Sequence, residues 1–318
     1  MKYIVVVLAL AVSASYVFAN CGSLSCPVDI RPSMAKNRFQ VGVNFEYIDQ
    51  SAVYVGSSRS SVGFVPEHHD EIQTLNRMTT VFVQYGLTDW LGLRVDTPMV
   101  SRQHSHIHNH HGEKIFDSWD FTGLGDISVV TQWKLKKADA QNGLNWRLDL
   151  GVKLPTGKTD QGSSSGVAES PIQPGSGSTD VLIGTEFSAP VATVQMMDGL
   201  YAEVPLSFSA SSKLTGVGTD GYRQGSSLLL ALCTEYPLVK SFSALFQVQT
   251  LFVDRASAKT EKTENTGGRY VFITPGVRWN ITPALQTFAA LSWTAFRDVN
   301  VIQITPDLQF KTGMSLSL

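Results

Sequence analysis

Segments of about ten residues, each alternating apolar and polar side chains, recur along the chain and restrict its fold more than any other feature. In 144–154, for example, Leu148 and Leu150 fall on one face, and Arg147 and Asp149 fall on the other. Successive side chains of a β-strand point to opposite faces of the sheet, so this alternation predicts strands with one apolar and one charged face. Such strands are typical of barrels that cross a membrane.

Twelve segments of the chain carry this pattern. They are 38–48, 73–86, 90–100, 123–135, 144–155, 178–188, 200–210, 225–236, 241–253, 269–279, 285–296 and 306–318. The connections between them alternate in length, beginning with the long 49–72 and the short 87–89. In bacterial barrels the short turns face the periplasm and the long loops face outward. We therefore predict an all-β fold, a closed antiparallel transmembrane β-barrel of about twelve strands over 38–318, with both termini in the periplasm.

The composition narrows the range of partners. Charged residues make up only 16% of the chain, and the net charge is −2. Nucleic-acid binding requires a basic surface, so nucleic acid is not an expected partner. Beyond the N-terminus no apolar run reaches the roughly 18 residues of a membrane helix, which excludes helical spans. The expected partners are the lipid of an outer membrane and a small solute or ion.

The N-terminal segment predicts export. Residues 1–19 combine Lys2, the apolar run 4–12 and the sequence Val17-Phe18-Ala19, which approximates the small-x-small cleavage pattern of a signal peptide. Residues 20–37 would then form a periplasmic segment that precedes the barrel. The expected location is the outer membrane of a Gram-negative-type bacterium.

Two cysteines, Cys21 and Cys26, lie in this periplasmic segment. Because the periplasm is oxidising, we expect them to form a local disulfide. A thiolate metal site and attachment of a partner are the alternatives.

All seven histidines fall between residues 68 and 111. The predicted strand boundaries put them in the first two long connections, which antiparallel neighbours bring to the same rim of the barrel. Imidazole is a common ligand of Zn, Ni and Cu ions, so we predict a site for such an ion in histidine-rich extracellular loops. The candidate ligands are His68, His69, Asp70, His104, His106, His108, His110 and His111. A solvated loop without an ion, and loose ion capture near the pore, are the alternatives.

Charged residues on the polar face of the predicted strands should point into the barrel. There they can pair across the interior or line a water path. The predicted lumen-lining residues are Glu46, Arg94, Asp96, Arg147, Asp149, Lys153, Glu203, Arg278 and Lys311. Side chains narrow the lumen of a barrel of this size, so either a constricted pore or a plugged one is expected.

Three glycine-containing phrases recur near strand ends: FTGLGDISVVTQWKL (121–135), LDLGVKLPTGKTD (148–160) and GSGSTDVLIGTEFS (175–188). They resemble the strand and hairpin phrases of the outer-membrane transporter family grouped with the phenol-degradation MetA-pathway protein. The resemblance extends over most of the mature chain. It implies an outer-membrane channel or uptake role and supplies no catalytic residues. The histidine-rich segments are not part of it.

The predicted function is therefore a channel or transporter for small solutes or ions, with a link to divalent metal. A structural or adhesive surface protein is the alternative, because long polar loops would serve it equally well. An outer-membrane hydrolase is less favoured, since no Gly-x-Ser-x-Gly elbow occurs and every histidine falls in a predicted loop. We expect no enzyme activity and no firm cofactor.

Overall fold

The structure, a computed structural model, describes residues 36–64, 70–110, 113–137, 143–164, 166–259 and 261–318. The predicted signal peptide and the pair Cys21 and Cys26 lie outside the described residues, so the disulfide stays a prediction. The strands are β1 (Phe39–Gly56), β2 (Ser58–Arg59), β3 (Asp70–Gly86), β4 (Leu91–His110), β5 (Glu113–Leu124), β6 (Ser128–Lys136), β7 (Asn145–Lys153), β8 (Gly162–Ser163), β9 (Gly166–Val167), β10 (Asp180–Gln195), β11 (Tyr201–Leu214), β12 (Tyr222–Arg223), β13 (Ser227–Val239), β14 (Phe242–Val253), β15 (Ser257–Ala258), β16 (Glu261–Lys262), β17 (Gly268–Asn280) and β18 (Leu285–Ser317). A 3₁₀ turn, Ser170–Ile172, stands between β9 and β10.

Eleven of the described strands close into one antiparallel barrel. Their order around the barrel is β1, β3, β4, β6, β7, β10, β11, β13, β14, β17 and β18, and β18 pairs with β1 to complete the circle. The strands β2 and β5 lie outside this ring, beside β1 and β4. A closed sheet leaves no unpaired edge, as strands in lipid require. The predicted fold class, an antiparallel transmembrane barrel, is confirmed.

The last strand crosses the barrel wall twice. Its first arm pairs with β17 and its second arm pairs with β1. The reversal lies at Val301, whose φ of 54° is in the left-handed region. Hydrogen bonds join the two arms, such as that from Thr294 Oγ1 to the Pro306 carbonyl at 2.6 Å. With β18 counted as two arms, the wall has about twelve crossings, in agreement with the sequence pattern.

Both ends of the barrel sequence lie at one rim. The backbones of Phe39 and Leu318 exchange two hydrogen bonds, of 3.1 and 2.7 Å. The short turn 87–90 lies at the same rim, where Asn37 donates to the Gly86 carbonyl. We call this rim the periplasmic end, following the arrangement of bacterial barrels.

The outward-facing side chains form an apolar band. Exposed apolar side chains occupy alternate positions of the strands, as Val81 and Val83 do in β3 and Leu150 and Val152 do in β7. Aromatic residues at the periplasmic end of this band include Trp90, Trp146, Tyr236 and Trp279, all exposed. Such a girdle is typical of the level of the lipid headgroups. Among the described residues, no helix is both long and apolar enough to cross a membrane.

The inward-facing side chains are mostly polar and tightly packed. Gln40, Gln84, Gln247 and Gln309 are all at most 2% exposed. Phe82 is an exception, and its ring fits because the facing residue of β1 is glycine. A Cβ atom on Gly42 would lie 2.4 Å from Phe82 Cζ, so a larger residue at position 42 would displace the ring.

Several of the predicted loops contain ordered strands and turns, and two of them bear on the functional site. The strand predicted to end at 100 continues to His110, and β5 returns from Glu113 against it. The connection 154–179 contains the β8–β9 hairpin and the 3₁₀ turn. The β4–β5 hairpin was missed because residues 101–110 of β4 carry polar side chains on both faces, with Ile107 the exception. Outside lipid, a strand has no need of an apolar face.

Candidate functional site

The candidate functional site is the barrel lumen. A cavity of about 200 Å³ lies at its centre, and strands from β6 round to β18 contribute to its wall. Its polar lining includes Asp149, Lys213, Gln309 and Lys311. The apolar lining includes Leu229, Leu251 and Phe272. The cavity is smaller than the roughly 300–1,000 Å³ of sites for drug-sized ligands, so only a small solute would fit.

Towards the periplasmic end, side chains from β3 and β4 narrow the lumen. The guanidinium of Arg94 lies 4.0 Å from the centre of the Phe82 ring, a cation–π contact. Below it, Gln84 Nε2 donates to Gln132 Oε1 at 2.6 Å. These four side chains are buried, and together they form the periplasmic constriction.

Eight of the nine predicted lumen charges form ion pairs. Arg94 pairs with Asp96 at 2.7 Å, Lys311 pairs with Glu46 at 3.2 Å, and Arg278 pairs with Glu235. Arg147 binds both Asp149, at 2.9 Å, and Glu186, at 2.7 Å.

Lys153 is the eighth of the predicted lumen charges that form ion pairs, and it pairs with Asp126 and Asp180. Glu203 is the exception: it is exposed near the periplasmic end of β11, where Val204 is the buried neighbour, and it has no ion pair in the described part of the chain. Internal pairing of both signs leaves the lumen polar without a large net charge.

The densest charge cluster joins the three glycine-containing phrases of the sequence. Lys153 Nζ lies 2.7 Å from Asp126 Oδ2 and 3.0 Å from Asp180 Oδ2. Asp126 also accepts hydrogen bonds from the backbone N–H groups of Gly157, at 2.9 Å, and Ser176, at 2.8 Å. We call this group the Asp126–Lys153–Asp180 cluster. It fixes both ends of the connection 154–179, which we call the mouth loop.

Glycines allow the close approach that this cluster requires. A Cβ atom on Gly157 would lie 2.6 Å from Gly175 Cα and 2.7 Å from the Gly125 carbonyl carbon. These contacts are with backbone atoms, which have little room to move. The glycines of the three phrases therefore allow close packing of the backbone. Asp126 and Asp180 form ion pairs with Lys153.

The mouth loop folds across the extracellular end of the lumen. Ala168 and Ile172 of the loop pack on Trp119 and Phe121 of β5. Arg102 donates to the Gln173 carbonyl at 3.2 Å.

Two further hydrogen bonds hold the loop. Trp119 Nε1 donates to the Gly166 carbonyl at 3.2 Å. On the opposite side, Ser170 hydrogen-bonds to Asp220, in the connection between β11 and β13. The loop thus spans the mouth from one wall to another.

His104, His106, His108 and His110 lie in β4 rather than in a loop, so the predicted loop is wrong for these four residues. His104 and His106 point inward from β4 and are buried. Thr74 Oγ1 lies 2.7 Å from His104 Nδ1, and His104 Nε2 lies 3.1 Å from His106 Nδ1. The ring of His106 packs on Trp119, with 4.9 Å between centroids. These rings are part of the packed wall under the mouth loop.

The predicted metal ligands are only partly brought together. Asp70 pairs in register with Ile107 whereas Glu71 pairs with His106, so Asp70 lies on the opposite face from the buried rings. His68, His69 and His111 lie outside the described residues, and His108 and His110 are placed in β4 by backbone only. In the described part of the chain, no group of three or more potential ligands is arranged to hold a metal. The metal hypothesis stays a prediction.

The protonation of Glu71 makes docking of the mouth loop depend on pH. It lies beyond the membrane-crossing part of β3, because the outward-facing Arg77 already ends the apolar face of that strand. Burial, followed by the negative charge of Glu169, raises the pKa of Glu71 to about 7, while a backbone hydrogen bond from Ile304 lowers it. Since Glu169 belongs to the mouth loop, docking of the loop and protonation of Glu71 favour each other.

Asp126, Asp180 and Lys213 were not among the predicted site residues. The two aspartates stand at the ends of Gly-Leu-Gly-Asp and Gly-Ser-Gly-Ser-Thr-Asp, so the phrases contained them, but no spacing rule connected them to Lys153. Lys213 follows Ser207, Ser209 and Ser211 on the inward face of β11, and that alternation would have identified it.

Comparisons with known proteins agree with this architecture. The chain is similar to the "COG4313 outer membrane channel from Pseudomonas putida F1", with a TM-score of 0.64 and 11% identity over 90% of this chain and 97% of that one. It is also similar to the transport unit of the autotransporter AIDA-I from Escherichia coli, with a TM-score of 0.53 and 10% identity over 94% of this chain and 95% of that one. No curated protein matches the sequence.

The sequence also matches a family model, described as "Putative MetA-pathway of phenol degradation", over residues 55–303. This match covers most of the barrel and includes the three glycine-containing phrases. Together with the closed barrel and its apolar belt, it places the protein in the outer membrane of a Gram-negative bacterium. The chain belongs to the family described as "Putative MetA-pathway of phenol degradation".

Proposed function

We propose that this outer-membrane barrel is a channel that passes small solutes or ions through a constricted pore. The observation that carries the proposal is the central cavity of about 200 Å³, which lies between the periplasmic constriction and the mouth loop. A cavity lined by charged and amide side chains is a place where water and a small polar solute can reside. The name of the Pseudomonas putida structure, an outer membrane channel, supports the same function.

The pore is narrow because its lining side chains bind one another. Arg94 covers Phe82, and Gln84 bonds to Gln132, so little of the lumen's width is left at the constriction. At the mouth, the loop is held by Arg102 and Trp119. Passage therefore requires solutes smaller than those of wide, water-filled porins, or movement of these side chains.

Planar-bilayer conductance of the refolded mature protein tests the proposal. We expect small, discrete conductance steps from the wild-type protein. The variant Phe82→Ala should enlarge them, because it removes the ring from the constriction. Leu228→Ala, which shortens an exposed, lipid-facing side chain, is the matched control and should leave the steps unchanged.

Folding of each variant is checked by its heat-modifiable migration on gels. A folded wild-type protein and a folded Phe82→Ala variant that both fail to conduct would contradict the channel and favour a structural or adhesive surface role. Repeating the wild-type measurement with Zn²⁺ or Ni²⁺ tests the proposed link to divalent metal.

A further inference from the structure

The central cavity has one amine whose charge is not neutralised by an adjacent carboxylate. Lys213 is half-buried on the inward face of β11 and lines the cavity. In the part of the chain that the structure describes, no carboxylate lies within ion-pair distance of its Nζ. The carboxylates that influence it electrostatically, Asp180 and Asp126, are bound to Lys153.

A second donor in the cavity also lacks a partner. Gln309 is 2% exposed and lines the same cavity, and its Nε2 has no hydrogen-bond partner among the described residues. A buried amide donor without a partner is costly and is uncommon in folded proteins. An ammonium and an amide N–H that face one cavity both require an acceptor, and the acceptor that suits both is an anion.

The remaining lining residues indicate what a bound anion would carry besides its charged group. Leu251 and Phe272 are buried, and Leu229 packs against them, so one side of the cavity is apolar. Its volume of about 200 Å³ corresponds to about seven waters, at roughly 30 Å³ each. The cavity therefore suits a compact molecule that carries one anionic group on an apolar body.

We propose that the cavity is a binding site for a small organic monocarboxylate, whose carboxylate contacts Lys213 and Gln309 and whose apolar part lies against Leu229, Leu251 and Phe272. This binding site rests on the proposed function, because the cavity is taken to lie on the path of the solute through the pore. The other charges in the cavity do not compete for this anion. Lys311 is paired with Glu46, and Asp149 is paired with Arg147.

Isothermal titration of the folded mature protein in detergent tests the site. Benzoate is the probe, benzamide is its neutral counterpart of the same size, and acetate carries the charge without the apolar body. Wild-type protein should bind benzoate about ten- to hundredfold more tightly than benzamide, the range expected for a hydrogen-bonded charge. It should also bind benzoate more tightly than acetate.

The variant Lys213→Met should reduce the preference for benzoate over benzamide to about one. Lys262→Met, which removes the same charge from an exposed hairpin, should retain the wild-type preference. A second variant, Ser211→Asp, places a carboxylate two residues from Lys213 on the same inward face and should abolish the preference in the same way.

A wild-type protein that does not distinguish benzoate from benzamide would overturn the proposal, as would a folded Lys213→Met or Ser211→Asp variant that keeps the preference. If neither variant folds, the wild-type ratios decide the matter. The outcome is separate from that of the channel. Conductance without a benzoate preference would overturn the binding site alone, and a benzoate preference without conductance would overturn the channel alone.

Discussion

At the scale of single residues, Lys153 is the centre of the internal charge balance near the mouth. Its ammonium binds Asp126 and Asp180, whose side chains are 6% and 0% exposed. Two carboxylates buried this deeply are tolerated only while a cation and several N–H groups neutralise them. The remaining donors are Gly157, Ser176, Ser178 and Gly216, so the cluster joins loops as well as charges.

Replacing Lys153 with Met should destabilise the barrel by about 3–5 kcal/mol, because it leaves two buried carboxylates without their cation. The free energy of unfolding, measured by urea titration in lipid vesicles, is the readout. Arg59→Met is the matched control, since Arg59 is largely exposed and its pair with Asp307 should contribute only about 0–1 kcal/mol. Equal losses in the two variants would contradict the importance of the buried cluster.

The histidines divide into two groups at this scale. His104 and His106 are buried and hydrogen-bonded, so their loss should affect stability more than metal uptake. If the segment binds Zn²⁺, we expect replacement of His68, His69, His108, His110 and His111 by Ala to remove most of the binding, and His104→Gln with His106→Gln to remove little. Calorimetry at pH 7.5 and 5.5 measures this, since neutral imidazole is the ligand. Absence of pH-dependent uptake by the wild-type protein would end the metal hypothesis.

At the scale of elements, the mouth loop is held at its two ends by different kinds of contact. The Asp126–Lys153–Asp180 cluster anchors its base through backbone packing and buried charge. Its tip is held by apolar packing on Trp119, and repulsion between Glu169 and the ionised form of Glu71 opposes this docking. We therefore expect the base of the loop to stay in place, whereas docking of the tip should depend on pH.

Gly157→Ala should displace the base of the loop, because a Cβ atom there meets backbone at 2.6 Å. The readout is labelling by an impermeant maleimide of a cysteine at Ala168, a loop residue that is buried while the loop is docked. The native cysteines of this chain are replaced by serine. Labelling should accelerate about tenfold or more if the displacement costs more than about 1.4 kcal/mol. Gly92→Ala, where the nearest atom is 3.5 Å away, should not change the rate.

The same label measures the effect of pH on the tip. Because the pKa of Glu71 is raised to about 7 from 4.5, the contribution of its protonated form to docking is complete below about pH 4.5 and is lost as the pH rises to about 7. Labelling at Ala168→Cys, relative to the exposed Ser164→Cys, should therefore be slowest at low pH and rise towards pH 7. The variant Glu71→Gln should remove this dependence. A ratio that is constant from pH 5 to pH 8 in the wild-type background would contradict the role of Glu71.

At the scale of the whole molecule, the barrel has a polar interior, an apolar exterior and two unlike rims. The periplasmic rim carries short turns and both chain ends. The other rim carries the mouth loop and the β4–β5 hairpin, whose outward-facing Gln103 and Asp120 bond to each other in solvent. An exposed polar pair of this kind suits a position above the lipid.

This asymmetry predicts which positions are accessible from outside the cell. In the chain without native cysteines, a cysteine at Asp160 of the mouth loop should react with an impermeant maleimide on whole cells. A cysteine at Met197, which is 82% exposed in the turn between β10 and β11, should react only after the outer membrane is permeabilised. The reverse pattern would show that the barrel is inserted in the opposite orientation.

Much of the architecture could be predicted from the sequence, because alternation with period two is a local property. A strand such as β7 has a charged face and an apolar face whatever its neighbours are, so the barrel and the alternation of its side chains followed from Arg147, Asp149 and similar positions. The β4–β5 hairpin could not be predicted in this way. In residues 101–110 of β4 nearly every side chain is polar, so the local alternation that distinguishes a strand from a loop is lost there.

What only the tertiary structure decided is which distant residues share one place. The sequence by itself determined that Lys153 points inward, since it alternates with the apolar Val152 and Leu154. It did not determine that Asp126 and Asp180 would both bind Lys153, or that Lys213 would be left facing a cavity shared with Gln309. Those relations depend on the register of β6, β7, β10 and β11 around the closed sheet and on the path of the mouth loop. Register and closure are set by contacts between residues far apart in the chain, so no local pattern contains them.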